Sequence, residues 1–138
     1  MTDFLRFDEG AQYLLTSGDA LPATCYFLLS TKPCSGTGTH VVGDTLAGGV
    51  GEITGTSYAR QSQAAPTPSS VGAVVFTLMG FVTGANTDWP ASVKSVVLAT
   101  TVGNTGKALC AWNLQTGGTA RDLSQANTTE QVTPTLTL

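Results

Sequence analysis

Apolar residues follow two periodicities along this chain, and the change from one to the other comes early. Phe4, Phe7, Ala11 and Leu14 recur at steps of three and four, the spacing that lines one face of a helix. Thr2 or Asp3 can cap the start and Ser17-Gly18-Asp19 the end, so a short N-terminal helix is predicted within 1–17, with Gly10 its weak point. Beyond it the period becomes two. Thr24 to Thr31 carries Tyr26-Phe27-Leu28-Leu29, apolar on both faces as a buried central strand is. Val71 to Val82 is apolar and β-branched, broken by Gly72 and Gly80; Val93 to Thr101 is a second such run, introduced by Trp89-Pro90. Ala108 to Leu114 alternates, with Cys110, Trp112 and Leu114 on one side. At the end Val132, Pro134, Leu136 and Leu138 face one way and Thr133, Thr135 and Thr137 the other. Pro134 lacks an N–H, which predicts an edge strand or a kink there.

Between these runs lie turns. Lys32 to Gly43 is rich in turn formers, Thr45 to Gly51 has no clear pattern, and Glu52 to Gln61 allows one short strand around Ile53 and Tyr58. Residues 61–70 (Gln-Ser-Gln-Ala-Ala-Pro-Thr-Pro-Ser-Ser) read as an exposed loop, and Gly103-Asn104-Thr105-Gly106 as a hairpin turn. One helix and six or seven short strands predict a mainly β protein. The expected architecture is a single-domain antiparallel β-sandwich over 1–138, jelly-roll or Ig-like, with a short N-terminal helix and no internal repeat.

Composition changes this picture in one respect. Charged residues make up 11% of the 138, against about 25% in a typical soluble domain. Such a surface fits either drift in a small β domain or cover by permanent neighbours, because interface cores are depleted in charge. The net charge of −3 and six scattered basic residues argue against nucleic acid as a partner. No apolar stretch approaches the length of a membrane span, and Met1-Thr2-Asp3-Phe4 has no signal-peptide character, so folding in a cytosol is expected. Cys25, Cys34 and Cys110 are odd in number and lack a CxxC spacing, which predicts reduced thiols packed as small hydrophobes.

The constellations that carry chemistry are thin. A Ser–His–Asp set must use the single histidine, His40, which lies in a Gly/Thr loop, and no G-x-S-x-G turn accompanies it. A Cys–His pair would need Cys25 or Cys34, and Cys25 lies in the buried-looking strand. Zinc needs spaced Cys and His pairs that are missing, and the Gly36–Gly51 segment lacks the Gly-Lys-Ser/Thr of a phosphate loop. Asp3, Asp8 and Glu9 suit a helix N-terminus, while Asp44, Glu52 and Asp88 have no spacing that favours a glycosidase pair over solvated charge. No catalytic residue, metal ligand or cofactor is therefore expected. Trp89 and Trp112, backed by Tyr13, Tyr26 and Tyr58, are the candidates for a sugar-binding surface if exposed, and for core packing if not.

Several segments, in this order, resemble a family of small tailed-bacteriophage virion proteins. They are Phe27-Leu28-Leu29-Ser30-Thr31-Lys32-Pro33, then Glu52-Ile53-Thr54-Gly55-Thr56-Ser57-Tyr58-Ala59-Arg60-Gln61, then Trp89 opening a strand. Gly106-Lys107-Ala108-Leu109-Cys110-Ala111-Trp112-Asn113-Leu114 and a closing Thr/Leu strand complete the series. The Tyr-Ala-Arg segment is the most specific of these. The chain departs from the family in its long Gly-rich Thr37–Gly51 insertion, and has Val93-Lys94-Ser95-Val96-Val97-Leu98 where the family has Phe-Gly-Leu/Ile-Phe. The resemblance implies a non-enzymatic structural protein of the virion: a capsid decoration protein, a head fibre, or a neck or tail component. Its implied partners are the major capsid protein or neck and tail proteins, and further copies of itself. Tyr58, Arg60, Trp89, Pro134, Leu136 and Leu138 are the candidate interface residues, by residue type for the first three and as a pairing edge strand for the last three. A soluble carbohydrate-binding module is the rival reading from another class.

Overall fold

The computed structural model describes residues 2–16, 21–35, 37–47, 49–66 and 73–137. The elements in chain order are β1 (Thr2–Arg6), α1 (Asp8–Thr16), β2 (Thr24–Ser30), β3 (Gln61–Ala64), β4 (Ala73–Val75), β5 (Met79–Val82), β6 (Ser95–Ala99), β7 (Ala108–Asn113), β8 (Thr129–Val132) and β9 (Thr135–Thr137). The protein is mainly β, with antiparallel sheets and one short α-helix. Five strands form the main sheet in the order β1-β7-β6-β2-β3, while β4 pairs with β9 and β5 with β8 as two separate ribbons.

The main sheet separates two cores, because its central strands are apolar on both faces. Phe27, Leu29, Val96, Leu98, Cys110 and Trp112 point to one side, where Val74, Phe76, Phe81, Val132 and Leu136 of the ribbon segments close over them. The Phe27 and Phe76 rings meet edge to face at 4.9 Å. Leu28, Val97, Ala99, Ala108 and Ala111 point to the other side, against Phe7, Leu46 and Val50. Every residue of β6 and β7 is buried. Such strands read as continuous hydrophobic runs, which is why 24–31 and 93–101 stood out in the sequence; 108–114, expected to alternate, is buried on both faces as well.

The N-terminal prediction needs correction. The helix does not begin at Thr2 or Asp3; Thr2–Arg6 is a strand pairing antiparallel with β7, Phe4 opposite Trp112 and Arg6 opposite Cys110. The Phe4 ring lies 5.5 Å from that of Trp112. Phe4 and Phe7 are three apart in either state, and the partner strand that decides the matter lies about a hundred residues away, beyond any local pattern. The helix is confined to Asp8–Thr16, with Asp8 and Glu9 in its first turn where the helix dipole favours acids.

Residues 61–70 also differ from the expected loop. Gln61–Ala64 is the edge strand β3, pairing with Thr24–Phe27 of β2, and 67–70 lie outside the described residues. Its polar composition suits an edge whose outer side chains meet water. Gln63 also ties this edge to the ribbons: its Oε1 accepts from the Thr77 N–H at 3.0 Å and its Nε2 donates to the Thr77 carbonyl at 3.3 Å. Glu52 makes an isolated bridge to Ser30, and no strand forms around Ile53. The 71–82 run breaks at residues 76–78, and Gly80 lies inside β5. At the C-terminus, where an edge strand or a kink is expected at Pro134, the run divides into β8 and β9, each in a two-stranded ribbon, while inward alternation persists: Glu130, Val132, Pro134 and Leu136 are buried. The Gly103–Gly106 turn joins β6 to β7 as a hairpin.

Candidate functional site

Glu52–Arg60, the most specific segment of the resemblance, lies alongside β2, where the Ile53 N–H donates to the Leu29 carbonyl at 3.0 Å, and is anchored by its own side chains. Arg60 makes five hydrogen bonds. Nε and Nη2 donate to Glu52 Oε1 and Oε2 at 2.9 and 2.6 Å, the paired geometry in which guanidinium and carboxylate fit best. Nη1 donates to the Thr101 and Gly103 carbonyls at 3.1 and 2.9 Å, and Nη2 also reaches Asn104 Oδ1 at 2.8 Å. A guanidinium has five N–H groups, and here each finds an acceptor. One side chain thus fastens this loop to the β6–β7 hairpin.

Tyr58 completes the junction. Its hydroxyl accepts from the Leu29 N–H at 3.0 Å and donates to Glu52 Oε1 at 3.1 Å. Burial pushes its ionisation far above that of an ordinary phenol, so it stays protonated. Its ring meets Trp89 edge to face at 5.4 Å. Trp89 is 3% exposed, and its Nε1 donates to the Thr56 carbonyl at 2.9 Å. Gly55 lies flat on this indole: a Cβ there would stand 2.9 Å from Trp89 Cγ, so only glycine fits. Asp88 accepts from the Thr56 N–H and hydroxyl, and these bonds hold its carboxyl below the usual range. An open depression of about 550 Å³ lies over this junction, lined by Ile53, Tyr58, Arg60 and, from the hairpin, Val102 and Asn104.

Three of the six candidate interface residues, Trp89, Pro134 and Leu136, are interior in this chain. Trp89 is not an exposed sugar platform, and Trp112, 2% exposed, donates its Nε1 hydrogen to the Thr135 carbonyl. Pro134 and Leu136 are buried; Leu136 packs in the first core. Tyr58 and Arg60 are partly covered, with their polar atoms engaged. Leu138 lies outside the described residues. The composition could not distinguish a staple from a hot spot, because Tyr, Arg and Trp serve both.

A second cluster gathers residues far apart in sequence. His40 Nε2 lies 3.0 Å from Ser95 Oγ, and Nδ1 lies 3.4 Å from Asp44 Oδ2, a Ser–His–Asp set assembled across 55 residues. The spacing of the nucleophile could not reveal it, since only folding brings β6 under the 37–47 loop. The arrangement lacks the features of an activated nucleophile. Ser95 Oγ donates its hydrogen to the Lys32 carbonyl at 2.5 Å, Ser95 is fully buried, and the His40 side chain is sealed from solvent. Asp44 is held by Lys32 Nζ at 2.6 Å and by the Val41 N–H at 3.0 Å. Burial alone would raise the Asp44 carboxyl, but those bonds outweigh it and hold it below the ordinary range. Burial, aided by Lys32, keeps the imidazole below its ordinary value against the pull of Asp44, so it is neutral near pH 7.

The remaining chemistry is dispersed. All three cysteines are free thiols. Burial pushes Cys25 up to about 11 and Cys110 well above the usual thiol range, so both pack as neutral groups. Among the described residues no cluster of three His, Cys, Asp or Glu side chains could hold a metal ion. Glu52 and Asp44 belong to separate ion pairs, with Arg60 and Lys32. Compared with models of protein families, with curated proteins and with solved structures, the chain finds no match.

Proposed function

We propose that this protein is a non-enzymatic structural component of a tailed-phage virion, specifically a decoration protein on the capsid lattice, made in the bacterial cytoplasm. In this reading the ribbons and main sheet form one β-sandwich of jelly-roll or Ig-like type, and the protein acts as a homo-oligomer against capsid, neck or tail proteins. One observation carries the proposal: a charge-poor surface presents large apolar side chains while most of its basic residues are paired within the chain. Leu15, Val102, Leu78, Val41, Val82 and Val42 are each at least half exposed. Meanwhile Lys32, Arg60, Lys107 and Arg121, four of the six basic residues, pair with acids of the same chain. That balance suits permanent neighbours, whose interface cores are depleted in charge.

Magnitudes agree with a decorating role. The chain exposes 6473 Å², and a standard contact covers about 800 Å² per partner, so two neighbours would take about a quarter of it. Many copies of a modest contact hold a lattice protein more firmly than its single-site affinity suggests. The resemblance in the Glu52–Arg60 segment adds support, since that segment serves here as a staple making the scaffold rigid.

The deciding experiment is quantitative mass spectrometry of purified particles of the phage that encodes the chain. A copy number near that of the major capsid protein is expected. A few copies per particle would replace decoration with a neck, tail or fibre-anchoring role, and absence from particles would overturn the virion assignment.

A further inference from the structure

The two ribbons leave one edge of their layer without a partner. β4 and β5 run end to end along one side, and β9 and β8 along the other. The phase of the ladder is set by two bonds: the Phe76 N–H donates to the Pro134 carbonyl at 2.9 Å, and the Thr83 N–H to that of Thr128 at 2.9 Å. Bonded and non-bonded pairs alternate in an antiparallel ladder, so Thr129 and Gln131 turn their N–H and C=O groups away from β5. Thr135, in the same phase, turns its carbonyl outward to the Trp112 Nε1–H. No bond from the described residues reaches the outward N–H or C=O of Thr129 or Gln131. The opposite edge is closed: the Gln63 carboxamide serves Thr77 as a neighbouring strand would, accepting from its N–H and donating to its carbonyl.

Charge and proline keep many exposed edges from pairing, and neither guards this one. Thr129, Gln131, Thr133 and Thr135 are exposed and uncharged, and the side on which Pro134 lacks an N–H faces Phe76, within the ribbon. An open depression of about 440 Å³ lies beside the edge, lined by Thr129, Glu130 and Gln131 and, across from them, by Leu114, Gln115 and Arg121. The two-strand layer also stops short of the five-strand sheet, leaving Phe4 of β1 39% exposed against Trp112. Charge says what fits here. Arg121 uses only Nε, on Glu130 Oε2 at 2.7 Å. Among the described residues Arg121 Nη1 and Nη2 and Glu130 Oε1 have no partner. One edge thus presents uncommitted donors and an uncommitted acceptor together, which makes it self-complementary under two-fold symmetry.

We propose that the outer edge of β8 pairs with β8 of a second copy of this chain, antiparallel about a two-fold axis at Glu130, so that one sheet runs through both copies. Thr129 of each copy then exchanges backbone bonds with Gln131 of the other. The two Glu130 side chains meet across the axis. Each Arg121 holds its own Glu130 through Nε and the second copy's Glu130 through Nη, so that the facing carboxylates are bridged and the charges balance. The pairing rests on the homo-oligomeric part of the proposed function and names the surface that carries it.

Sedimentation of the purified full chain from micromolar to millimolar concentration tests this, beside amide exchange at Thr129 and Gln131. A monomer–dimer equilibrium is expected, and both amides should gain at least about tenfold in protection as the dimer fills. Gln131→Pro removes an N–H that serves only the outer edge. It should weaken dimerisation at least about tenfold while unfolding of the dilute chain stays cooperative. A chain that stays monomeric, a dimer whose two amides exchange as they do at dilution, or a Q131P that dimerises like the wild type overturns the proposal. If Q131P does not fold, the concentration dependence of wild-type exchange decides alone. Protection of these amides only in assembled particles would give the edge to a foreign strand and overturn self-pairing. Copy number in particles is read separately, so failure of the pairing leaves the decoration role standing.

Discussion

Gly10 of α1 rests directly on the backbone of Leu109 in β7. A Cβ on Gly10 would lie 2.7 Å from both the Cα and the carbonyl carbon of Leu109, and closer still to its oxygen. The cause is an irregularity in the sheet. Leu98 pairs with Cys110 but Ala99 with Ala108, which leaves Leu109 as an extra residue in β7. Its carbonyl accepts the Phe7 N–H at 3.1 Å, drawing the start of the helix onto the strand. The glycine that weakened the helix prediction is what allows helix and sheet to touch.

Gly10→Ala should therefore destabilise the protein although alanine is the better helix former. A loss of about 1–3 kcal/mol is expected from overpacking against backbone that has no room to yield. Urea denaturation checks it; a change within about 0.5 kcal/mol would show that helix and strand separate freely.

Arg60→Lys should cost about 1–3 kcal/mol, since an ammonium cannot serve five acceptors in a plane and leaves part-buried groups unpaired. A double-mutant cycle of Arg60→Ala with Glu52→Gln, read by thermal unfolding, should give a coupling of about 0.5–3 kcal/mol. Additive losses would mean that the pair does not act as one staple.

Removing the C-terminal segment should prevent folding. Val132, Pro134 and Leu136 are buried, and the Thr135 carbonyl holds the Trp112 indole. Leu136→Ala is the milder test, with an expected loss of about 2–5 kcal/mol. A chain lacking 132–138 that keeps cooperative unfolding would contradict this account of the ribbons.

Both tryptophans should emit as buried indoles and respond neither to host polysaccharide nor to a soluble quencher until the chain unfolds. A sugar-dependent shift in the folded protein would restore the carbohydrate-binding reading.

Cys25 and Cys110 should resist alkylation in the native state at pH 8. With Cys25 at about 11, roughly one molecule in a thousand carries the thiolate, before burial further restricts access. Mass spectrometry of timed alkylation reads this directly, and rapid modification of both would show that the first core opens.

The sequence by itself determined that Thr24–Thr31 is a buried central strand, because its apolar residues fall on both faces, and it marked 93–101 and 108–114 as strands; that these two are central as well was decided by the packed sheet. It limited the Pro134 segment to an edge strand or a kink as well, since a missing N–H acts locally. Tertiary structure alone decided that Thr2–Arg6 is a strand, because its hydrogen-bonding partner is β7 at the far end of the chain. It decided too that Trp89 and Arg60 face inward and that His40 meets Ser95, for burial and pairing of these residues depend on contacts 33 to 55 positions apart. Periodicity reports how a residue faces its own element; only the packed chain settles which element lies against it.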